Sequence, residues 1–372
     1  QIVDKLISKE AEDRYQSAFG LKNDLLKCYE NIVSGKDIDD FEIAQNDVSH
    51  KFCLPQKLYG FEKEIQTLIN TFEEVRNGKS QAMLIEGEKG IGKSSLVYEI
   101  QKNVVEKGGY FISGKFESCY QGYSCNVFID TIKSLLKYVL GENQDNIDLW
   151  KNKIIKTMGN NLDILLSIFP ELEYIIGKRF SSREIISSDF QSLFDRILPN
   201  FIESFSNKEH PIVVFFDDLH LADQASIKFI ENLSASKSMK YIFGIATYSE
   251  DEKQVSHPLY SIVKNIRKNG IEVNKITLKP LKLQKIQQFL SETLKHKKHD
   301  ESKFLATICL QKTGGNPLFL RQFIESLYQN SSIYFDFENG KWKLNIEILK
   351  SMAITENMVD LTINKIKEML PA

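Results

Sequence analysis

The chain has 372 residues, 42% of them hydrophobic and 26% charged. That supplies enough apolar side chain for a buried core and, on length alone, for roughly two or three domains. A formal net charge of −2 with no long basic run argues against nucleic-acid binding over a broad surface. No apolar run approaches the ~18 residues that a membrane-spanning helix requires, and no signal peptide precedes the first helical pattern. Five cysteines form no metal-ligand spacing and leave an odd count, so a reduced, cytoplasmic setting is expected. The chain opens directly on a helical pattern at Gln1, and residues 363–370 read as another helix, so a piece cut at both ends is expected.

Residues 1–34 read as two helices, with Ile2, Leu6 and Ile7, then Ala18, Leu21, Leu25 and Leu26, at helical spacing. Residues 35–57 read as a linker draped over the next domain. Leu58-Tyr59-Gly60-Phe61-Glu62 opens a helix with Ile65, Leu68, Ile69 and Phe72 on one side. The apolar run 82–85 is a buried strand that enters Gly87-Glu88-Lys89-Gly90-Ile91-Gly92-Lys93-Ser94-Ser95, and Leu96, Val97, Ile100 and Val104 continue as a helix face. Strand, loop and helix stand in the order of a phosphate-binding P-loop. Glycines let such a loop turn successive N–H groups inward, which makes an anion hole. Lys93 has the reach for β- and γ-phosphates, and the Ser94 hydroxyl is a ligand for Mg²⁺.

Residues 109–116 predict a second strand, 117–125 a polar loop, and 126–206 a mainly helical insertion punctuated by Pro170 and Pro199. Residues 210–218 hold five apolar residues and end in Asp217-Asp218, the pattern of a parallel strand buried on both faces. At the C-terminal edge of a parallel sheet these carboxylates face the P-loop. Asp217 fits a Walker-B role, holding Mg²⁺ through its water shell, and Asp218 fits the group that polarises an attacking water. Asp223 is a helix N-cap candidate. His220 is either structural or a nucleotide sensor. A fourth strand covers 241–248 and a fifth 271–278, giving an α/β P-loop core of the additional-strand type, a parallel sheet flanked by helices. Helices return over 282–330, where Gly315-Asn316-Pro317 ends one helix and starts the next. Residues 331–345 alternate around Asn339-Gly340 and predict a hairpin.

Together, Tyr59-Gly60, Gly87 to Ser95, Phe216 to Asp223 and Gly315-Asn316-Pro317 resemble the STAND/AAA-type P-loop ATPase module. The resemblance is nearest to large bacterial hybrid kinases, in which this module follows a serine/threonine kinase domain and precedes GAF and histidine-kinase domains. Residues 2–18 resemble the last helices of such a kinase domain, with Arg14 at the position of an arginine that pairs with a buried glutamate. That implies kinase-tail helices over 1–34, a linker over 35–57, an ATPase core over 58–280 with its insertion at 126–206, a helical lid over 281–330 and a winged-helix-like segment over 331–372. It implies ATP or ADP with Mg²⁺ as ligands. Adenine is contacted near Tyr59 and Gly60, although Phe61 replaces the usual arginine, and near Pro317. Lys93 and Asp218 are the catalytic residues so implied. The sensor position, where related sequences carry arginine, holds Tyr248, Ser249 and Glu250. ATP-driven homo-oligomers, with Arg179, Arg183 or Arg196 reaching a neighbour, are also implied. Three functions stay open: an ATP-hydrolysing signalling switch inside a protein kinase, a nucleotide-holding scaffold with little turnover, and a DNA-associated AAA-like regulator. The acidic Asp336-Phe337-Glu338 weighs against the last.

Overall fold

The computed structural model describes residues 1–9, 13–35, 41–45, 47–117, 126–177, 190–235, 240–249, 259–295 and 299–349. Cys119, Cys125, Arg179, Arg183, Glu250 and the helix expected at 363–370 lie outside these residues, as does the side chain of Arg196. The chain divides into two compact units. The first joins residues 1–60 to 280–372, and the second is residues 61–279.

In the first unit, α1 (Ile2–Leu6) and α2 (Ala18–Val33) are the expected N-terminal helices. Ser17 caps α2 by accepting from the Gly20 amide. Asp47 in turn accepts from the Ser17 hydroxyl and from the Gln16 and Ser17 amides. Arg14 is exposed and donates to the carbonyls of Ser8 and Lys9 at 2.7 and 3.0 Å, so here it serves as a local backbone brace.

The second unit is built on one parallel sheet. Helix α3 (Glu62–Arg76) precedes β1 (Gln81–Gly87), followed by α4 (Lys93–Glu99), α5 (Gln101–Glu106) and β2 (Tyr110–Lys115). A helical stretch follows: α6 (Asn126–Leu140), α7 (Gln144–Met158), α8 (Leu162–Ile168), α9 (Glu173–Ile176) and α10 (Phe190–Phe205). Pro170 starts a 3-10 turn as a punctuating proline should. Pro199 does not end a helix, because α10 runs through it. Then come β3 (Ile212–Asp217), α11 (Gln224–Ala235), β4 (Ile242–Ser249), α12 (Leu259–Lys268) and β5 (Glu272–Thr277). The strand order is β2-β3-β4-β1-β5, so β4 is the additional strand between the P-loop strand and the strand ending in Asp217. All four pairings are parallel. Because side chains alternate across a strand, Ile85, Asp217, Thr247 and Lys115 share one face, and Glu86, Phe216, Ala246 and Tyr248 the other. Apolar helices cover both faces, which is why β3 is buried along its whole length.

The first unit resumes with α13 (Leu283–Leu294), α14 (His299–Thr313), α15 (Pro317–Gln329) and the antiparallel hairpin of β6 (Ile333–Asp336) and β7 (Lys341–Leu344). Residues 47–57 pack on these elements. Phe52 stacks on Tyr328 at 4.3 Å, the buried Trp342 donates to Ser49 O, and Arg321 donates to Pro55 O. Residues 47–57, the last part of the stretch 35–57 expected as a linker, thus pack within this unit. Gly315 has φ +79°, and an added Cβ would lie 2.5 Å from Leu281 O, so only glycine fits where the chain passes from α14 to α15. Asn316 caps α15 by accepting from the Leu318 amide, with Pro317 as its first residue, as the Gly-Asn-Pro pattern predicts.

Candidate functional site

The loop between β1 and α4 sits at the carboxyl edge of the sheet. Gly90 and Gly92 have φ +81° and +105°, the left-handed backbone that glycine adopts without penalty. Lys93 is buried to 7% exposure. Its Nζ donates to the carbonyls of Gly87 and Glu88 at 2.9 and 3.0 Å, so the ammonium lies folded over its own loop. Ser94 Oγ is 2.8 Å from both carboxylate oxygens of Asp217. The sequence separated these residues widely, and the sheet brings them together.

Asp217 has two further partners that sequence reading missed. Thr247, fully buried, donates its hydroxyl to Asp217 at 2.5 Å and accepts from the Asp218 amide at 2.9 Å. Lys115 lies 3.8 Å from Asp217 and 3.4 Å from Asp218. Its register partner across β2–β3 is Asp217 itself. Burial works against the Lys115 charge, but the Asp218 and Asp217 carboxylates outweigh it and hold its pKa above the usual lysine value. Asp218 is left-handed at φ +54°, a conformation that aspartate tolerates better than most residues. It turns the chain out of β3 immediately after Asp217.

The end of β4 differs from what the sequence suggested. The hydroxyl on the phosphate-edge carboxylate belongs to Thr247, one residue before the expected sensor position. Tyr248 faces the other side of the sheet and donates to Glu86 at 2.5 Å. The Ser249 amide donates to His220 Nδ1 at 3.3 Å, which gives His220 a structural role in joining the turn after β3 to the end of β4. Asp223 caps α11 as expected, accepting from the Ser226 amide at 2.8 Å.

Glu86, next to the P-loop, is a buried carboxylate with three donors: Lys275 at 2.6 Å, Tyr248 at 2.5 Å and Thr277 at 2.7 Å. Burial pushes its pKa up, but these donors prevail and lower it to about 2. A depressed folded-state pKa contributes stability that is fully present above the ordinary value of 4.5 and is lost as pH falls from there toward 2. Glu86→Gln is expected to flatten the pH dependence of stability in that window. Urea unfolding of both proteins at pH 6, 4 and 3 checks this, and equal slopes would rule it out.

Among the described residues, no group of three or more His, Cys, Asp or Glu side chains could hold a metal ion. The pair of Ser94 hydroxyl and Asp217 carboxylate instead suits a hard cation that keeps waters and takes its remaining oxygens from phosphate, as Mg²⁺ does.

Tyr59, Gly60 and Pro317 belong to the first unit. The Tyr59 hydroxyl donates to Glu292 at 2.8 Å, and its ring meets Phe289 edge-on at 5.4 Å. Lys57 forms an ion pair with the same glutamate at 2.7 Å. Gly60 is left-handed at φ +82°.

A parallel sheet in the order 2-3-4-1-5, with a Lys-Ser loop after one central strand and a carboxylate pair after another, defines a P-loop NTPase fold. Residues 57–245 match the AAA ATPase domain, and the chain belongs to that family. Hybrid signal transduction histidine kinase G of Dictyostelium discoideum is 25% identical over 99% of this chain, which is 13% of its own length. Peroxide stress-activated histidine kinase mak3 of Schizosaccharomyces pombe is 21% identical over 93% of this chain and 18% of its own length. The chain thus spans less than a fifth of these curated relatives, and they come from an amoeba and a yeast rather than from bacteria. Among solved structures, a Walker-type ATPase of Pyrococcus abyssi is similar with a TM-score of 0.40 and 14% identity, over 87% of this chain and 79% of that one. A STAND protein with a tetratricopeptide repeat sensor from Pyrococcus horikoshii is similar with a TM-score of 0.38 and 17% identity, over 76% and 34% of the two chains. No helix of the described residues is long and apolar enough to cross a membrane.

Proposed function

We propose that this chain binds ATP with Mg²⁺ at the loop of residues 87–95 and hydrolyses it slowly, as the switch module of a larger cytoplasmic signalling histidine kinase. The observation that carries the reading is the convergence of Lys93, Ser94, Asp217 and Thr247 at one edge of the sheet. In this reading the Lys93 ammonium leaves the carbonyls of Gly87 and Glu88 for the β- and γ-phosphates. Ser94 and Asp217 would hold Mg²⁺, which would supply positive charge to offset that of the phosphates. Thr247 keeps Asp217 oriented through its hydroxyl. Asp218 accepts a hydrogen bond from the attacking water and aligns it with the γ-phosphorus. Tyr59, Gly60 and Pro317 are assigned to adenine recognition on the family resemblance alone. The relatives' names support a histidine-kinase setting, and GAF domains and homo-oligomers on ATP binding are carried over from the family resemblance alone. The serine/threonine-kinase origin of residues 1–34 rests on the resemblance alone.

Isothermal titration with ATP and ADP, with and without Mg²⁺, together with steady-state phosphate release, tests this reading. Mg²⁺-dependent binding with turnover supports the switch. Tight binding with no turnover above an Asp218→Asn background would favour the nucleotide-holding scaffold. Absence of binding would overturn both.

Lys115 gives this site a property of its own. Its ammonium occupies the carboxylates' electrostatic space and opposes an arriving Mg²⁺. Two unit charges ~4 Å apart near a protein surface interact by about 4 kcal/mol before discounting for solvent, and Lys115 is half exposed. Lys115→Met is therefore expected to tighten Mg²⁺ binding by about 3- to 10-fold at low salt, less at high salt. Mg²⁺ titration of the nucleotide-loaded protein measures it, and unchanged or weaker Mg²⁺ affinity would remove Lys115 from this role.

A further inference from the structure

The sheet face opposite Asp217 and Thr247 carries a run of unusually small residues. Ala82 and Gly244 are register partners on β1 and β4, and Ala246 follows on the same face. Above them, beneath α11 and α12, lies a cavity of about 100 Å³ whose walls include Phe216, Leu233 and Ile262. Gly244 is the telling residue. Glycine inside a strand weakens it and commonly marks a place where a ligand or another backbone comes close. Its φ is not in the left-handed region, so the backbone does not require glycine. A Cβ built on it meets no heavy atom within 4 Å, so no neighbouring backbone requires it either. Gly244 therefore makes room, in the middle of a central strand where valine or isoleucine would otherwise fill the layer.

We propose that this cavity is a binding site for a small apolar compound about one aromatic ring in size. Its walls are almost wholly apolar, so water entering it finds few polar partners and an apolar molecule displaces that water readily. Ser80 and Gln81 line one end of the cavity, with their polar groups engaged by Ile242 N, Glu74 and Asn274. Glu86, with Lys275, Tyr248 and Thr277, lies further along β1 on the same face, toward the P-loop. Phe216 and Ala246 line the cavity and directly precede Asp217 and Thr247. On the nucleotide reading above, on which this one step rests, an occupant held against them biases the Asp217–Thr247 pair and makes the cavity an input to the nucleotide site.

Toluene is the probe, added to the whole chain without nucleotide and followed by amide chemical shifts and by melting temperature. The expected result is saturable binding, shifts concentrated on residues 244–246 and 262–266, and a melting temperature that rises with toluene concentration. Gly244→Leu is expected to weaken toluene at least tenfold while still melting cooperatively. Should Gly244→Leu fail to fold, Ala246→Val is the second filling variant with the same expected loss. Absence of saturable binding to the parent protein, or equal toluene affinity in a folded filling variant, overturns the proposal. Failure of the nucleotide reading would leave the toluene isotherm intact, whereas failure of the cavity reading abolishes that isotherm while ATP binding remains.

Discussion

Replacing Lys93 by alanine is expected to weaken ATP binding by roughly 30- to 150-fold and to remove measurable turnover. In the free chain the ammonium is buried and donates to the two loop carbonyls of Gly87 and Glu88. A lysine buried over a glycine loop and bound to neutral carbonyls is held for a stronger acceptor, because a charge-assisted bond to phosphate is about twice as strong as one to a neutral group. Truncating one side of such a desolvated pair costs about 2–5 kcal/mol, and the lower third of that range, about 2–3 kcal/mol, gives the affinity loss stated. The loss in turnover is larger, since negative charge on the transferring phosphoryl group is met by Lys93 and Mg²⁺ together. Lys93→Met keeps most of the buried stem and is expected to behave like Lys93→Ala in binding. Calorimetry with ATP and the melting curve of each variant decide the matter. A cooperative melt near that of the parent, together with unchanged ATP affinity, would mean that Lys93 serves the loop and not a phosphate.

The residues that the sequence made legible share one property: their signal is local. Gly87 to Ser95 stand in one uninterrupted stretch, and Asp217-Asp218 end a run whose apolarity already marks a central strand. The central strand was readable for the same reason, since β3 is buried on both faces and appears as a continuous apolar run. Lys115, Thr247 and Glu86 were not legible. Each acquires its partner through register between strands far apart in sequence: Lys115 opposite Asp217, Phe216 opposite Ala246, and Glu86 opposite Tyr248 and Thr277. Parity along β4 would have helped. Residues 245, 247 and 249 share the face of Asp217, so alternation along β4 turns Thr247 and Ser249 toward that face and Tyr248 away from it. Residues 47–57 misled in another way. Their proline, glycine-poor polarity and lack of periodicity suit a loose connection, yet Phe52, Pro55 and Tyr59 are anchored by Tyr328, Arg321 and Glu292 from the other end of the chain. Periodicity carries no information about partners that distant.

The second large effect is expected at Asp218, and it separates binding from chemistry. Asp218→Asn keeps the size of the side chain and a residue type that tolerates the left-handed backbone at φ +54°. Its amide bond to Thr247 is unaffected, because that bond uses the main chain. What is lost is the carboxylate, and with it the ability to accept a proton and the pairing with Lys115. ATP affinity is therefore expected to stay within about 3-fold of the parent, while phosphate release falls by about 10²- to 10⁴-fold, the usual range for removing a positioned general base. Asp217→Asn separates the neighbours: it disturbs the carboxylate that Ser94 and Thr247 both hold, so Mg²⁺-dependent affinity falls along with turnover. The two aspartates are adjacent in sequence but differ in environment, Asp217 buried under two hydroxyls and Asp218 partly exposed beside a lysine. If Asp218→Asn turned over ATP as fast as the parent, the water-activating group would have to be sought elsewhere. If Asp217→Asn bound Mg²⁺ and ATP normally, the cation would not sit between Ser94 and Asp217.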